Sequence, residues 1–261
     1  MATTKKELHP SGDFITFNPR FHQYSSTNHP KKKFISGTKF LSSFFGEFDS
    51  EAISAKYAKK HNMSQAAVLK LWARKGEISR EAGSLIHDYL ERRLLGETVT
   101  HDKACFYPDF DITESAMSKI KNADAALEEF LDKYEFIRAE MIVASLTHDI
   151  SGMIDLLCRN KKTGRIVFAD WKTNASIDFK NSWQSGLEPI THLDDCSYNR
   201  YSLQMGIYQR IAVEEAYLTG DDAVHENIER VIIHIKDDGH KFIPCPDLQK
   251  EVNDMIMSKA A

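Results

Sequence analysis

The stretch Ile150–Thr173, ISGMIDLLCRNKKTGRIVFADWKT, decides how the rest of the chain is read. Two apolar runs flank the polar segment Asn160-Lys161-Lys162-Thr163-Gly164, which carries the turn chemistry of a β-hairpin. If Asn160 and Arg165 close the turn, antiparallel partners have residue numbers summing to 325, and Asp155 stands opposite Asp170. Facing residues on one sheet surface have Cβ atoms about 4.5–5.5 Å apart, where like charges repel. Period-2 alternation puts Lys172 on the same face as Asp170. Two carboxylates and an ammonium therefore converge within otherwise apolar strands. A divalent cation between the acids would remove the cost of that convergence. A solvated hairpin face with incidental charges is the plainer alternative, and a single bulge would move the pairing by one residue.

Around this hairpin lies a chain of 261 residues, enough for one large domain, alone or with a small appendage. A hydrophobic fraction of 42% with 28% charged residues is that of a soluble globular protein. No run approaches ~18 apolar residues, so no membrane span is expected. The opening MATTKKELHPSGDF lacks the apolar core of a signal peptide, which leaves a cytoplasmic location as the expectation. Cys105, Cys158, Cys196 and Cys245 form no CxxC pair, which argues against a zinc ribbon and a disulfide framework. Cys158 reads as a small buried hydrophobe in a strand. With a net charge of −4, a nucleic-acid ligand would need a local basic groove rather than a global field.

Upstream, Phe14–Phe17 and Phe21–Tyr24 flank a turn at Asn18-Pro19-Arg20, and Lys33–Ser36 offers a further strand to that hairpin. Lys31-Lys32-Lys33 reads as a solvated edge or, more sharply, a phosphate contact. From residue 38 to 95 the chain is helical: one helix over 38–45, a second from Ser50 or Glu51, and a third capped by Ser64. Gly76 is expected to interrupt the third, with a new helix over 78–95. Residues 96–112 read as a loop, 114–134 as a helix and 135–146 as a strand. Downstream, 174–196 is a long polar loop of the kind used as a lid or left mobile. A helix over 198–218, a strand pair around Asp237-Asp238-Gly239-His240, and a short helix over 247–258 close the chain. This order predicts an α/β fold: a central mixed β-sheet flanked by helices, with an N-terminal β-hairpin and a helical arch. Turns rather than crossover helices join the central strands, which excludes a doubly wound sheet.

Three other places are out of keeping with simple packing. Gly83 stands inside a helix, where glycine costs about 1 kcal/mol relative to alanine, and His87 follows one turn later on the same face. Close packing on Gly83 and an exposed histidine would also account for them. Glu140 interrupts a strand, RAEMIVA, where Arg138 and Glu140 share one face; a surface ion pair with a neighbouring strand is the alternative. Gln204 and Tyr208 are i,i+4 neighbours that present an amide beside a phenol, as many wet helix faces do.

In order, these read Gly83…His87, Glu140, Gly152-Met153-Ile154-Asp155, Asp170-Trp171-Lys172 and Gln204…Tyr208. The series resembles the RecB-like branch of the PD-(D/E)XK nuclease superfamily. Within it the chain is most similar to small stand-alone exonucleases, such as the mitochondrial genome maintenance exonuclease and its phage and bacterial relatives. Ser36-Gly37-Thr38 and Leu71–Gly76 add to the likeness, which covers about residues 14–245.

The resemblance implies a restriction-endonuclease-like core in a single nuclease domain over 1–261. Its parts are a hairpin at 14–37, a helical region at 38–134, the catalytic sheet and QxxxY helix at 135–245, and a C-terminal helix at 246–261. It implies His87, Asp155, Asp170 and the Trp171 carbonyl as ligands of Mg²⁺ or Mn²⁺, the latter tolerating the imidazole better. Glu140 is implied as ligand of a second metal or its water, and Lys172 as the group that orients the attacking water. Gly83, Gln204 and Tyr208 are implied as substrate-contacting or Lys172-bracing positions. Relatives with an iron–sulfur cluster carry four cysteines at another spacing, so no such cluster is expected here. The implied function is a metal-dependent DNA exonuclease acting on single strands or ends, in replication, repair or recombination. The setting implied is a bacterial cytosol or phage-infected cell, with replication or recombination proteins as possible partners. The alternatives are a structure-specific endonuclease and a non-cleaving DNA-binding module, against which intact Asp155, Asp170 and Lys172 speak. Lys56, Lys59, Lys60, Lys70, Arg74, Lys75 and Arg80 make 38–95 locally basic, as a phosphate-tracking channel requires.

Overall fold

In the computed structural model, which describes residues 4–99 and 114–260, Asn160 closes the central hairpin from both ends. Its N–H donates to the Arg165 carbonyl at 2.8 Å, and its own carbonyl accepts the Gly164 N–H at 2.8 Å. Its side-chain oxygen accepts the N–H groups of Lys162 and Thr163 at 3.0 and 3.2 Å. Gly164 takes φ +73°, a conformation a β-carbon disfavours. This turn joins β6 (Ile150–Asn160) to β7 (Ile166–Lys172). Their partners run from Arg159↔Ile166 to Leu156↔Ala169, the register the turn predicted. The ladder stops there, one position short of Asp155 and Asp170.

Before this hairpin come β1 (Lys5–Leu8), β2 (Phe14–Asn18) and β3 (Gln23–Ser26), an antiparallel sheet of their own. β4 (Ile35–Ser36), α1 (Gly37–Ser42), α2 (Ser50–His61), α3 (Gln65–Leu94), α4 (Glu114–Lys133) and β5 (Tyr134–Ser145) follow. After it come α5 (Ser197–Glu214), β8 (Ile228–Lys236), β9 (Gly239–Pro244) and α6 (Gln249–Ala260). The main sheet runs β4-β6-β7-β8-β9, with β5 on the other edge of β6. β4 with β6 and β7 with β8 are parallel; the remaining pairs are antiparallel, so the sheet is mixed as expected.

One layer of helices covers each face. α3 and α4 bury Leu85, Ile86, Tyr89, Ile120 and Phe130 against Val167, Ala169, Trp171 and Ile233. On the other face α1, α5 and α6 bury Phe40, Leu203, Ile207, Val252 and Met255 against Val143, Ile166 and Phe168. The small sheet packs Ile15 and Tyr24 onto Ile142 and Ala144 of β5. Cys158 is fully buried in β6, as read from the sequence, and burial pushes its thiol up to about 12.

Two expectations are corrected. Gly76 does not interrupt α3, which runs unbroken over 30 residues. The ~1 kcal/mol glycine penalty is too small against strong helix formers on both sides and the Ser64 cap, whose Oγ accepts the Ala67 N–H. Lys33–Ser36 does not extend the N-terminal hairpin; Ile35 and Ser36 pair with Ile150 and Ser151 in the main sheet. The third strand of the small sheet is β1, which nothing in the sequence singled out. Of the expected 96–112 loop, residues 100–112 lie outside the described residues, as does Cys105. The 174–196 segment contains only an isolated bridge, Ser185↔Asp194, and buries Ile177, Ile190 and Cys196. No helix among the described residues is long and apolar enough to cross a membrane.

Candidate functional site

β4 and β7 share one edge of β6, because β5 occupies the whole of the other. Between them the edge of β6 from Gly152 to Asp155 is free of strand partners, and β7 diverges from it. The opening is filled by side chains. A Cβ built on Gly152 would lie 2.1 Å from Tyr208 Cε1, and one on Gly37 2.6 Å from the same atom. The two glycines thus form the slot that holds the Tyr208 ring. Asp155 closes the fork by accepting the Trp171 N–H on its Oδ2 at 3.0 Å.

Glu140 reaches the same place from β5. The pairs Ala139↔Leu156 and Met141↔Ile154 leave Glu140 standing across from Asp155, with φ +49°. A left-handed glutamate within a strand is strained by about 1–3 kcal/mol and marks an imposed position. α3 brings His87, whose Nε2–H donates to the Trp171 carbonyl at 3.1 Å. Its Nδ1 lies 3.5 Å from Asp155 Oδ2 and 3.9 Å from Glu140 Oε1. Donor atoms of His87, Glu140 and Asp155 all fall within 4.8 Å of one another, a grouping that could hold a metal ion.

Charge compensation is local. Lys172 pairs with Asp170, both largely buried, and its ammonium lies 4.6 Å from the Tyr201 ring centre. Lys5 on β1 contacts Glu91 at 2.6 Å and Glu140 at 3.4 Å. Two positions along β1, Glu7 pairs with Arg138 at 2.8 Å, so β1 and β5 carry inverted charge pairs. Burial disfavours the charged imidazole of His87, but the Asp155 charge and the Glu140 hydrogen bond outweigh it and lift the group to about 9. Burial, with Asp170 and Glu140 nearby, pushes Asp155 up to about 7 against the pull of His87 and Lys172. Burial also opposes the charge on Lys172, yet Asp170 and Asp155 hold it protonated well above the usual lysine range.

A cleft of about 620 Å³ opens over the cluster between the small sheet and α3. His87, Glu140, Asp155, Gly83, Asp88 and Lys5 are among its walls.

Sequence-predicted positions divide accordingly. His87, Asp155 and the Trp171 carbonyl come together, and Glu140 lies with them, its donor oxygen within 4.8 Å of those of His87 and Asp155. Asp170 does not enter the donor group; its carboxylate is engaged by Lys172 on the α5 side of the sheet. Tyr208 is 5% exposed and packs in the core against Gly152 of β6 and Gly37. Gln204, half-buried, donates from Nε2 to the Tyr208 hydroxyl oxygen at 3.2 Å. Gly83 makes a packing contact, its absent Cβ facing Thr173 Oγ1 at 3.3 Å. Lys5 and Tyr201 were missed. Tyr201 lies one turn before Gln204 on the same helix face and could have been found from that spacing; Lys5 carried no signal.

Neither a scan of protein-family models nor a search of curated proteins finds a match to this chain.

Proposed function

We propose that the chain is a divalent-metal-dependent nuclease that hydrolyses phosphodiester bonds of DNA, acting as an exonuclease on single strands or ends. The observation that carries this reading is the convergence of His87, Glu140 and Asp155 on one point beside the Trp171 carbonyl, with Lys172 next to it at the end of β7. Two carboxylates with one imidazole fit Mg²⁺ or, better, Mn²⁺. When bound there, such an ion supplies an acidified water and shields phosphoryl charge.

The chain's own residues do the rest. Trp171 N–H orients the Asp155 carboxylate, and the Trp171 carbonyl fixes the His87 ring. Asp170 and the Tyr201 face hold the Lys172 ammonium ready to stabilise charge on a phosphoryl oxygen. Gln204 and Tyr208 keep β6 and α5 in register beneath it. Cleavage leaving a 5′-phosphate is proposed from the family resemblance alone.

Metal binding and cleavage separate the roles. Asp155→Ala should lose both Mn²⁺ binding and cleavage, whereas Lys172→Ala should retain Mn²⁺ binding and lose cleavage. Cleavage by Asp155→Ala at the wild-type rate, or by wild type in excess EDTA, would end the proposal.

A further inference from the structure

The cleft over the donor cluster carries more carboxylates than one divalent ion needs: Asp88, Glu91 and Glu97 stand on its walls beside Glu140 and Asp155. Glu97 is engaged by Arg92 at 2.7 Å. A surplus of buried and half-buried acids calls for a further cation. The fold supplies one. Lys5, at the start of β1, places its Nζ 2.6 Å from both carboxylate oxygens of Glu91 and 3.4 Å from Glu140 Oε2.

Glu140 is shared between this ammonium and the donor cluster. Its Oε1 lies 3.9 Å from His87 Nδ1, while its Oε2 is turned to Lys5. His87 and Glu91 are i,i+4 neighbours on α3, so one helix face sends an imidazole to the cluster and a carboxylate to the lysine. A second ion pair fixes where Lys5 arrives. Glu7, two residues further along β1, pairs at 2.8 Å with Arg138, two residues before Glu140. A two-residue slip in either direction would set Lys5 against Arg138 or Glu7 against Glu140, like charge against like.

We infer that Lys5 stands in the place of a second metal ion, so that the site takes a single divalent cation. The lysine is a positioning residue: it holds one oxygen of Glu140 and leaves the other for the ion. The inference rests on the metal site proposed above and sets its stoichiometry. An ion bridging Glu91 and Glu140 would need the point where the Lys5 ammonium sits, and the ammonium excludes it by volume and by like charge. With the ammonium gone, the same two carboxylates are hard oxygen ligands of the kind Mn²⁺ accepts.

The test counts Mn²⁺ ions bound to the full chain by calorimetric titration, with the paramagnetic resonance signal of free Mn²⁺ as an independent count. Ions still bound by the double variant Asp155→Ala/Glu91→Gln are background. Wild type should bind one ion above it. Lys5→Met, which keeps most of the side chain's length and removes its charge, should bind two. Lys5→Arg should bind one, and so should Lys5→Met/Glu91→Gln, because the bridge has then lost a carboxylate. Were Lys5 merely structural, Lys5→Met would melt lower without gaining an ion, and that result would overturn the inference. Two ions on wild type would also overturn it, while leaving the metal reading in place. No ion on wild type would end both together. One ion on wild type and two on Lys5→Met, with linear strands left uncut, would end the nuclease reading while the assignment of Lys5 stands.

Discussion

Replacing Gly152 by alanine should damage the protein through a single ring. The new Cβ would stand 2.1 Å from Tyr208 Cε1, 2.6 Å from Cζ and 2.8 Å from Cδ1. Carbon atoms settle at about 3.5–4.0 Å, so the ring must retreat by about 1.5 Å. It has nowhere to go: Gly37 closes the other side of the slot, and Tyr208 is packed among core residues of α5 and the sheet. Overpacking of this kind costs about 1–3 kcal/mol, and the depth of the clash puts this case near the upper end. At about 2–4 °C per kcal/mol for a chain of this size, thermal unfolding should move down by about 6–12 °C. Tyr208→Ala alone should cost about 3–5 kcal/mol through the cavity it leaves. The double variant Gly152→Ala/Tyr208→Ala removes the clash, so its loss should fall short of the summed single losses by about 1.5 kcal/mol or more. Circular dichroism melts of the four proteins decide it. A Gly152→Ala melt within 1 °C of wild type, or additive losses in the double variant, would refute the reading of Gly152 and Tyr208 as one device.

Three further outcomes follow from the site. Mn²⁺ at about a hundred times its Kd should stabilise the protein by about 2.7 kcal/mol, a rise of about 5–10 °C that EDTA reverses and His87→Ala abolishes; an equal rise in His87→Ala would contradict the donor set. Glu140→Gly should abolish cleavage yet melt no lower than wild type, because glycine relieves the φ +49° strain, whereas Glu140→Ala should melt lower; equal melts for the two variants would count against imposed strain. Tyr201→Ala should lower the turnover rate about tenfold by freeing the Lys172 ammonium, and Tyr201→Phe should preserve it, since the ring face is what Lys172 meets; similar rates for Ala and Phe would remove Tyr201 from the account.

The sequence made legible what local chemistry controls. Asn160 and Gly164 define the turn, the turn sets the register, and the register runs true to Leu156↔Ala169. The Ser64 cap was readable for the same reason. What failed was non-local or small in energy. Ile35 and Ser36 could pair with either sheet, and only the tertiary fold chooses β6. Gly76 exerts too weak a penalty to break a 30-residue helix. Period-2 alternation put Asp155 and Asp170 on one patch, but the strands part at that point, and Asp170 turns to Lys172 while Asp155 turns to His87. Glu140 joins the cluster through a left-handed backbone that no propensity predicts. Lys5 comes from a strand of four residues whose partner lies more than a hundred positions away.

The central claim is that His87, Glu140, Asp155 and Lys172 form a metal-dependent site for cutting DNA from an end. Digestion of 5′- and 3′-labelled linear single strands beside a covalently closed single-stranded circle, with Mn²⁺ and with EDTA, tests it most directly. The account predicts stepwise shortening of the linear strands in Mn²⁺ only, with the circle intact. Intact linear strands in Mn²⁺, or loss of the linear strands in EDTA, would contradict it.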